Sequence, residues 1–376
     1  MNKRQRLNTM NRPKIAELDI VRALAIIAVV LIHGTSDGSS YALMGKSTTQ
    51  LLYLFVNKMA IFAVPLFIMI SGLVLFYVYY DSWNAKKIAP FYLKRIRTVL
   101  IPYLIWSFFY YGFNLFLDKT MDYTDFRWAD FFEQLTWGES GYHLYFMVII
   151  IQIYLLFPLL MTLARSFAWF RRSLIFWGLL IQISFYIYSQ YLGQVDHRAA
   201  VCWTYFSLFT FGGFLGIYYA QFRLWIDKHI KWVFPLGASF GFAYAIMYTL
   251  SQYQIYFDNA WFELLFTIYG MAAGVCFIWL AGRLMIGVSK LAAILTSLGM
   301  VSFGVYLFHP AILSIWRTYI PLPGSITLFN LYSLAGLVLT LVIPWSLAQV
   351  FRNIAAKSKT RERLNSMPND SAVQSG

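Results

Sequence analysis

The sequence is poor in charged residues, which make up only 12% of its 376 residues. Hydrophobic residues make up 60% and aromatic residues 20%, and the mean hydropathy is +0.59. About a quarter of the residues in a soluble globular domain are charged, so this composition excludes that class. The chain is therefore predicted to be a polytopic membrane protein.

Cysteine is scarce as well. The two cysteines, Cys202 and Cys276, both lie in apolar stretches, so neither a disulfide framework nor a cysteine metal site is predicted. No other metal site is indicated. A small-residue cleavage pattern is missing from the first apolar stretch, which also carries Arg22. That stretch is therefore predicted to remain as a transmembrane helix rather than to be removed as a signal peptide.

Apolar windows long enough to cross a membrane are abundant. A helix needs about 20 residues to span the hydrocarbon core. Ten windows meet this need, near residues 18–35, 53–80, 99–117, 144–164, 174–192, 201–220, 232–250, 262–281, 292–313 and 327–350. The sequence thus predicts an all-α, multi-pass protein with about ten transmembrane helices.

The positions of the basic residues predict the orientation. Lysine and arginine number 30 against 16 acidic residues, which gives a net charge of +14. If successive windows cross the membrane in alternating directions, their connections fall on two sides. One side then receives few basic residues, namely Lys46, Lys58, Lys119, Arg127, Arg198 and Arg317, while Arg22 lies within the first window. The positive-inside rule then places both termini in the cytoplasm. The net charge is explained as a topology signal, and no nucleic-acid partner is predicted.

This topology divides the chain into three parts. Residues 1–17 form a basic cytoplasmic N-terminus, residues 18–350 a transmembrane domain, and residues 351–376 a cytoplasmic tail that is first basic and then disordered.

Arg22 and His33 are the most informative pair of residues. They lie eleven positions apart within the first window, or roughly three helical turns, so both side chains lie on nearly the same face about 16 Å apart. Two ionisable groups on one stripe of a transmembrane helix are costly and indicate a functional site. Neutral histidine suits the role of general base. Two structural alternatives remain: a buried hydrogen bond for His33, and an ion pair of Arg22 with Asp19.

A second candidate group lies at the cytoplasmic mouth of the third window. There the segment FYLKRIRTVLIPY contains Lys94, Arg95 and Arg97. Such a cluster can bind the phosphates of a ligand. It can equally be a topology signal that meets anionic lipid headgroups.

Four further residues are candidates for a substrate pocket. Ser71 lies beside Gly72 in a window that also contains Pro65, where packing of small residues is the ordinary interpretation. Glu139 and His143 lie where the long outer connection enters the fourth window. His309 precedes Pro310 at the end of the run SFGVYLFHP. His33, His143 and His309 are all predicted at one membrane level, on the outer side.

Five segments, taken in order, resemble the landmarks of the acyltransferase 3 family of bacterial integral membrane acyltransferases. They are LDIVRALAIIAVVLIH, VPLFIMISGLVL, FYLKRIRTVLIPYLIW, GYHLYFMVIIIQIYLLFPLL and SFGVYLFHP. The resemblance covers nearly the whole chain. In its GYHLYFMVIIIQ and LFHP segments the chain also resembles the Gram-positive branch, which includes the membrane protein of the intercellular adhesin operon, once described as a polysaccharide exporter.

The resemblance implies a function and a set of roles. Family members transfer acetyl or related short acyl groups from cytoplasmic acyl-CoA to hydroxyls of surface glycans and similar acceptors. The arginine and histidine that they require in the first span correspond to Arg22 and His33. The family's cytoplasmic pair of arginines is matched less cleanly, because Lys94 precedes Arg97 at the family spacing and Thr98 stands where a partner of Arg95 would be.

The resulting hypothesis is a membrane-bound O-acyltransferase. Acyl-CoA is expected as donor substrate and a surface glycan or lipid-linked glycan as acceptor, with no bound cofactor and no metal, in the bacterial plasma membrane. Two rivals remain. The first is an exporter of a surface polysaccharide or its lipid-linked precursor, with the histidines in a proton relay. The second is a scaffold whose polar residues only pack.

Overall fold

The computed structural model describes residues 12–40, 47–118 and 125–365. Every regular element within these ranges is helical. Residues 1–11 of the predicted N-terminus, residues 366–376 of the predicted disordered tail, and Lys46 and Lys119 lie outside the described ranges. The prediction of an all-α multi-pass membrane protein is confirmed.

Fifteen α-helices are present in the described part of the chain. They are α1 (Glu17–Ser40), α2 (Thr48–Met59), α3 (Ala63–Tyr79), α4 (Ile88–Arg95), α5 (Ile101–Leu117), α6 (Trp128–Trp137), α7 (Tyr145–Ser166), α8 (Ala168–Arg172), α9 (Leu174–Ile187), α10 (Phe206–Ile217), α11 (Tyr219–Ser251), α12 (Asn259–Gly287), α13 (Ser289–Met300), α14 (Ser302–Tyr319) and α15 (Ile326–Asn365). A π-helical turn, Ile96–Leu100, joins α4 to α5.

The expected number of ten transmembrane helices stays a prediction, because length and apolarity alone identify fewer candidate spans in the described residues. Seven helical segments in the described residues are long and apolar enough to span a membrane, or eight if the pair α13 and α14, bent by 73°, counts as one span. The predicted windows 174–192 and 201–220 are helical but fall short of this criterion. Hydropathy identifies apolar stretches correctly, whereas it does not show whether each one crosses completely.

Contacts between distant segments define two ends of the helix bundle. At one end, called here the basic end, Arg12 forms an ion pair of 2.6 Å with Asp81, and Tyr219 donates to Glu17 at 2.6 Å. At the other, the histidine end, Arg317 forms an ion pair of 2.7 Å with Asp37. These contacts agree with the alternating topology, which assigns residues 12, 17, 81 and 219 to the expected cytoplasmic side and residues 37 and 317 to the other.

Large apolar side chains are exposed along the outer face of the bundle. In α15 the exposed fractions are 57% for Leu328, 59% for Leu331, 58% for Leu334 and 50% for Val338. The spacing of three or four residues places these side chains on one helix face. A soluble protein rarely exposes a large contiguous apolar surface, so this stripe is a lipid-facing surface.

Helices α3 and α10 cross at close range through glycines. A Cβ atom on Gly212 would lie 2.0 Å from the carbonyl oxygen of Met69, and one on Gly216 would lie 2.3 Å from that of Leu73. Conversely, a Cβ on Gly72 would lie 2.1 Å from the carbonyl oxygen of Phe209. Small residues four apart let the backbones of two membrane helices approach closely. This crossing holds α3, which lines the candidate site, against the rest of the bundle.

Gly212→Ala is expected to destabilise the protein by about 1–3 kcal/mol, the usual cost of overpacking. The methyl group would meet a backbone carbonyl, which can move only if the two helices separate. Thermal unfolding in detergent, followed by size-exclusion chromatography, measures the effect. Gly112→Ala in α5 is the matched control, since its Cβ would meet no atom within 4 Å. Equal thermal stability of the two variants would contradict the role of the crossing.

Candidate functional site

A cavity of about 340 Å³ lies toward the basic end of the bundle. We call it the basic-end cavity. Its polar lining comes from Arg22, Ser71, Arg95, Thr98 and Ser302, and aromatic and aliphatic side chains form the remaining walls. Two of the residues predicted from sequence as functional cations thus contribute to one cavity.

Arg22 has two sets of neighbours. Its guanidinium donates a hydrogen bond of 2.8 Å to Asp19, which also forms an ion pair of 2.5 Å with Lys14. Asp19 is only 4% exposed, and as an acidic residue in the first turn of α1 it also faces the positive end of the helix dipole. The ion pair expected as a structural alternative is therefore present. It orients Arg22, which at the same time lines the basic-end cavity.

Arg95 is the member of the basic cluster that reaches this cavity. Its guanidinium carbon lies 4.6 Å from the ring centre of Tyr154 and 5.1 Å from that of Phe91, distances typical of cation–π contacts. Its buried Nε has no hydrogen-bond partner within the described part of the chain. Lys94 and Arg97 are exposed and do not line the cavity, so the structure does not bring them to the predicted donor site.

Local backbone geometry explains this selection. Arg95 ends α4, and the π-helical turn Ile96–Leu100 follows directly. Residues two apart on a helix lie about 200° apart around its axis, so Arg95 and Arg97 point in nearly opposite directions. Arg95 therefore faces the cavity, whereas Arg97 is exposed.

Ser71 also lies in the basic-end cavity, where its hydroxyl is 3.2 Å from that of Tyr154. The sequence grouped Ser71 with the histidines as a possible substrate pocket. The structure instead places it beside Arg22 and Arg95.

A second cavity, of about 220 Å³, contains His33 and His143. We call it the histidine-end cavity. The ring of His33 lies 4.6 Å from that of Tyr142 and 5.5 Å from that of His309, and the rings of His143 and His309 are 5.6 Å apart. The predicted convergence of three histidines is therefore present. They are not arranged as metal ligands, since no group of three or more His, Cys, Asp or Glu side chains in the described ranges could hold a metal ion.

The residue after His309 explains the orientation of its ring. Pro310 has no backbone N–H, so the carbonyl of Tyr306 loses its usual helical partner. His309 Nδ1 lies 2.9 Å from that carbonyl oxygen. A carbonyl can only accept, so Nδ1 carries the proton and Nε2 carries the lone pair when the ring is neutral. His309 Nε2 is buried and has no hydrogen-bond partner among the described residues.

His143 is positioned by the turn that follows α6. That helix ends at Gly138, whose φ of 74° is the left-handed conformation that glycine adopts readily. His143 is 2% exposed, and neither of its ring nitrogens has a hydrogen-bond partner within the described ranges. Burial, together with the nearby His309 and His33, lowers the pKa of the His143 imidazole well below its ordinary value. The ring is therefore neutral at neutral pH.

The structure does not bring Glu139 to either cavity. Its carboxylate forms a contact of 2.7 Å with His197, and its side chain is 45% exposed. The sequence places Glu139 four residues from His143, but the turn between them points the two side chains in different directions. The prediction that Glu139 lines a substrate pocket is corrected accordingly.

Sequence reasoning overlooked Arg317 as a site residue. Its guanidinium donates to the backbone carbonyl of His33 at 2.8 Å, to Ser36 Oγ at 2.9 Å and to Asp37 at 2.7 Å. These bonds fix the end of α1 around His33 to α14. An isolated arginine and an isolated aspartate near the same ends of two apolar spans were the signal that could have identified the pair.

Three aromatic residues line both cavities: Phe67 of α3, Phe146 of α7 and Tyr306 of α14. The ring centres of Phe67 and Phe146 are 6.0 Å apart, and those of Phe146 and Tyr306 are 5.6 Å apart. Tyr306 is fixed in addition by a hydrogen bond of 2.7 Å to the carbonyl of His143. We call these three residues the aromatic partition. Arg22 and His33, on one helix, therefore face two adjacent cavities rather than one.

Comparison with known proteins agrees with this architecture. The profile of the acyltransferase 3 family, described as an acyltransferase domain, matches residues 15–349. Among curated proteins, the chain is 22% identical over 314 residues to the probable poly-beta-1,6-N-acetyl-D-glucosamine export protein of Staphylococcus aureus, for example in strains MSSA476 and N315. The alignment covers 79% of this chain and 82% of that protein. No solved structure matches the chain. With its multi-pass helical bundle and a profile match over most of its length, the chain belongs to the membrane-bound acyltransferase 3 family.

Proposed function

We propose that the protein is an O-acyltransferase that moves an acetyl or other short acyl group from cytoplasmic acyl-CoA to a hydroxyl of a surface glycan or related acceptor. The observation that carries this proposal is the pair of adjacent cavities, one lined by two arginines and the other by histidines. Family membership supplies the acyl-transfer chemistry. The excess of basic residues in the connections on one side supports the direction of transfer, from the cytoplasm to the outer side.

Arginine is well suited to the donor. Its planar guanidinium binds phosphate oxygens through paired hydrogen bonds. Arg95 and Arg22 would hold acyl-CoA in the basic-end cavity, with the acyl group toward the aromatic partition. Arg22 would orient the donor, because Asp19 holds its guanidinium and it lies about three helical turns from His33.

His33 would act as the general base. Its imidazole takes the proton of the acceptor hydroxyl while the hydroxyl oxygen attacks the thioester carbonyl carbon. The carbon–sulfur bond then breaks, an ester bond remains on the acceptor, and the sulfur of CoA leaves as a thiolate that receives the proton from the His33 imidazolium. Arg317 acts as a positioning residue, because its hydrogen bonds hold the backbone around His33.

Export of a surface polysaccharide is the second candidate, favoured by the name of the S. aureus relatives. Passage of a polymer needs a continuous path across the membrane. Here the aromatic partition lies between the two cavities, which favours transfer of a small group at a meeting point.

Deletion of the gene distinguishes the two candidates. Surface glycan is quantified, and its ester-linked acyl groups are released by mild base and measured. We expect the deletion strain to retain its polymer and to lose ester groups, and the wild-type gene to restore them. Loss of surface polymer with accumulation inside the cell would overturn the acyltransferase proposal and support export.

A further inference from the structure

We propose that the aromatic partition of Phe67, Phe146 and Tyr306 selects the acyl group by size and restricts transfer to short acyl chains. This inference rests on the proposed function and deepens it, because it assigns the choice of acyl group to named side chains. It starts from the observation that these three residues border both cavities.

The partition stands where donor and acceptor must meet. The basic-end cavity lies on one side of the partition and the histidine-end cavity, which contains His33, lies on the other. For the carbon–oxygen ester bond to form as the carbon–sulfur bond breaks, the thioester carbonyl and the acceptor hydroxyl must be in contact. The acyl tail is joined to that carbonyl. It must therefore fit between or beside these rings.

The construction of the partition limits how far it can open. Each ring comes from a different helix, so no single side-chain rotation removes all three. Tyr306 is 6% exposed, donates to the carbonyl of His143, and lies at 6.2 Å from the ring of Phe303 in a stacked arrangement. Phe67 and Phe146 are half-buried and have fewer constraints. The passage is therefore bounded by one fixed ring and two adjustable ones.

Close packing converts this geometry into selectivity. Protein interiors leave few voids, so an extra methylene group must displace a packed atom. One methylene more or less in an apolar site changes catalytic efficiency about 10–200-fold. An acetyl group adds a single methyl to the carbonyl, whereas a hexanoyl group adds five carbons to it. The partition is expected to admit the first and to exclude the second.

Phe146→Ala and Phe67→Ala test the proposal. Inside-out membrane vesicles from the deletion strain, carrying each variant, receive acetyl-CoA, butyryl-CoA or hexanoyl-CoA. The ester-linked acyl groups on the native glycan are then measured. We expect the ratio of hexanoyl to acetyl transfer to rise at least about tenfold in both variants. Phe116→Ala serves as the control, since Phe116 is 68% exposed and lines neither cavity, and it should keep the wild-type ratio.

The outcomes separate this inference from the function on which it rests. If wild-type vesicles transfer acyl groups from none of the three thioesters, the proposed function fails. If wild-type vesicles transfer acetyl groups and both alanine variants keep the wild-type ratio, the function stands and the partition does not select. If an alanine variant does not accumulate in the membrane, the leucine variant at the same position, Phe146→Leu or Phe67→Leu, is tested instead. An unchanged ratio in those variants likewise overturns the inference.

Discussion

His33→Ala is expected to reduce acyl transfer by about 10²–10⁴-fold, the usual contribution of a general base. The ring of His33 lies in the histidine-end cavity, next to Tyr142 and His309. In the proposed mechanism, removing it would leave the acceptor hydroxyl without a group to take its proton. Binding of acyl-CoA should persist, because His33 does not line the basic-end cavity. Ester formation in vesicles and acetyl-CoA binding in nanodiscs measure the two effects separately.

His229→Ala is the matched control for this variant. His229 belongs to α11, contacts the backbone oxygen of Trp225 at 2.7 Å and lines neither cavity. The His229→Ala variant should transfer acyl groups at the wild-type rate. Transfer by His33→Ala at the wild-type rate would exclude His33 as the base. A parallel loss of acetyl-CoA binding would indicate a structural role instead.

Arg95→Ala is expected to weaken acetyl-CoA binding by about tenfold to a hundredfold. Hydrogen bonds that involve a charged group contribute about 1.5–3 kcal/mol, and each 1.4 kcal/mol corresponds to a factor of ten in affinity. Arg95 lines the basic-end cavity and has a buried Nε without a partner among the described residues. Titration of acetyl-CoA against the protein in nanodiscs measures the change.

Arg97→Ala provides an unusually close control. It removes the same charge two residues away, at the same end of the bundle, from a side chain that is exposed and outside the cavity. General attraction of an anionic ligand to the basic end would weaken similarly in both variants, and screening by salt would diminish it. Equal effects of the two substitutions would therefore contradict a direct contact between Arg95 and the donor. Arg95→Lys keeps the charge without the planar fork and should fall between wild type and alanine.

Part of the site was predictable because its determinants are local. The spacing of Arg22 and His33 follows from the helical repeat, and the structure has both on α1. The shared level of His33, His143 and His309 follows from the alternation of apolar windows and connections. The ion pair of Arg22 with Asp19 follows from their separation of three residues, at which helical side chains meet.

Other parts depended on geometry that the sequence pattern does not express. Arg95, rather than Lys94 or Arg97, lines the cavity because its face of the helix packs against Tyr154 of α7, a contact between segments far apart in the sequence. The link from Arg317 to the backbone of His33 joins α14 to α1. Glu139 was grouped with His143 by proximity in the sequence, and the intervening turn separated them.

By itself, the sequence determined that this is a helical membrane protein, which end of its bundle is basic, and which stripe of its first helix carries ionisable groups. These properties follow from composition, charge placement and helical periodicity, all of which act within one segment. The tertiary structure decided that Arg22 and His33 face two cavities and that Phe67, Phe146 and Tyr306 stand between them. Those rings come from three helices far apart in the chain, and only the packing of helix against helix brings them together.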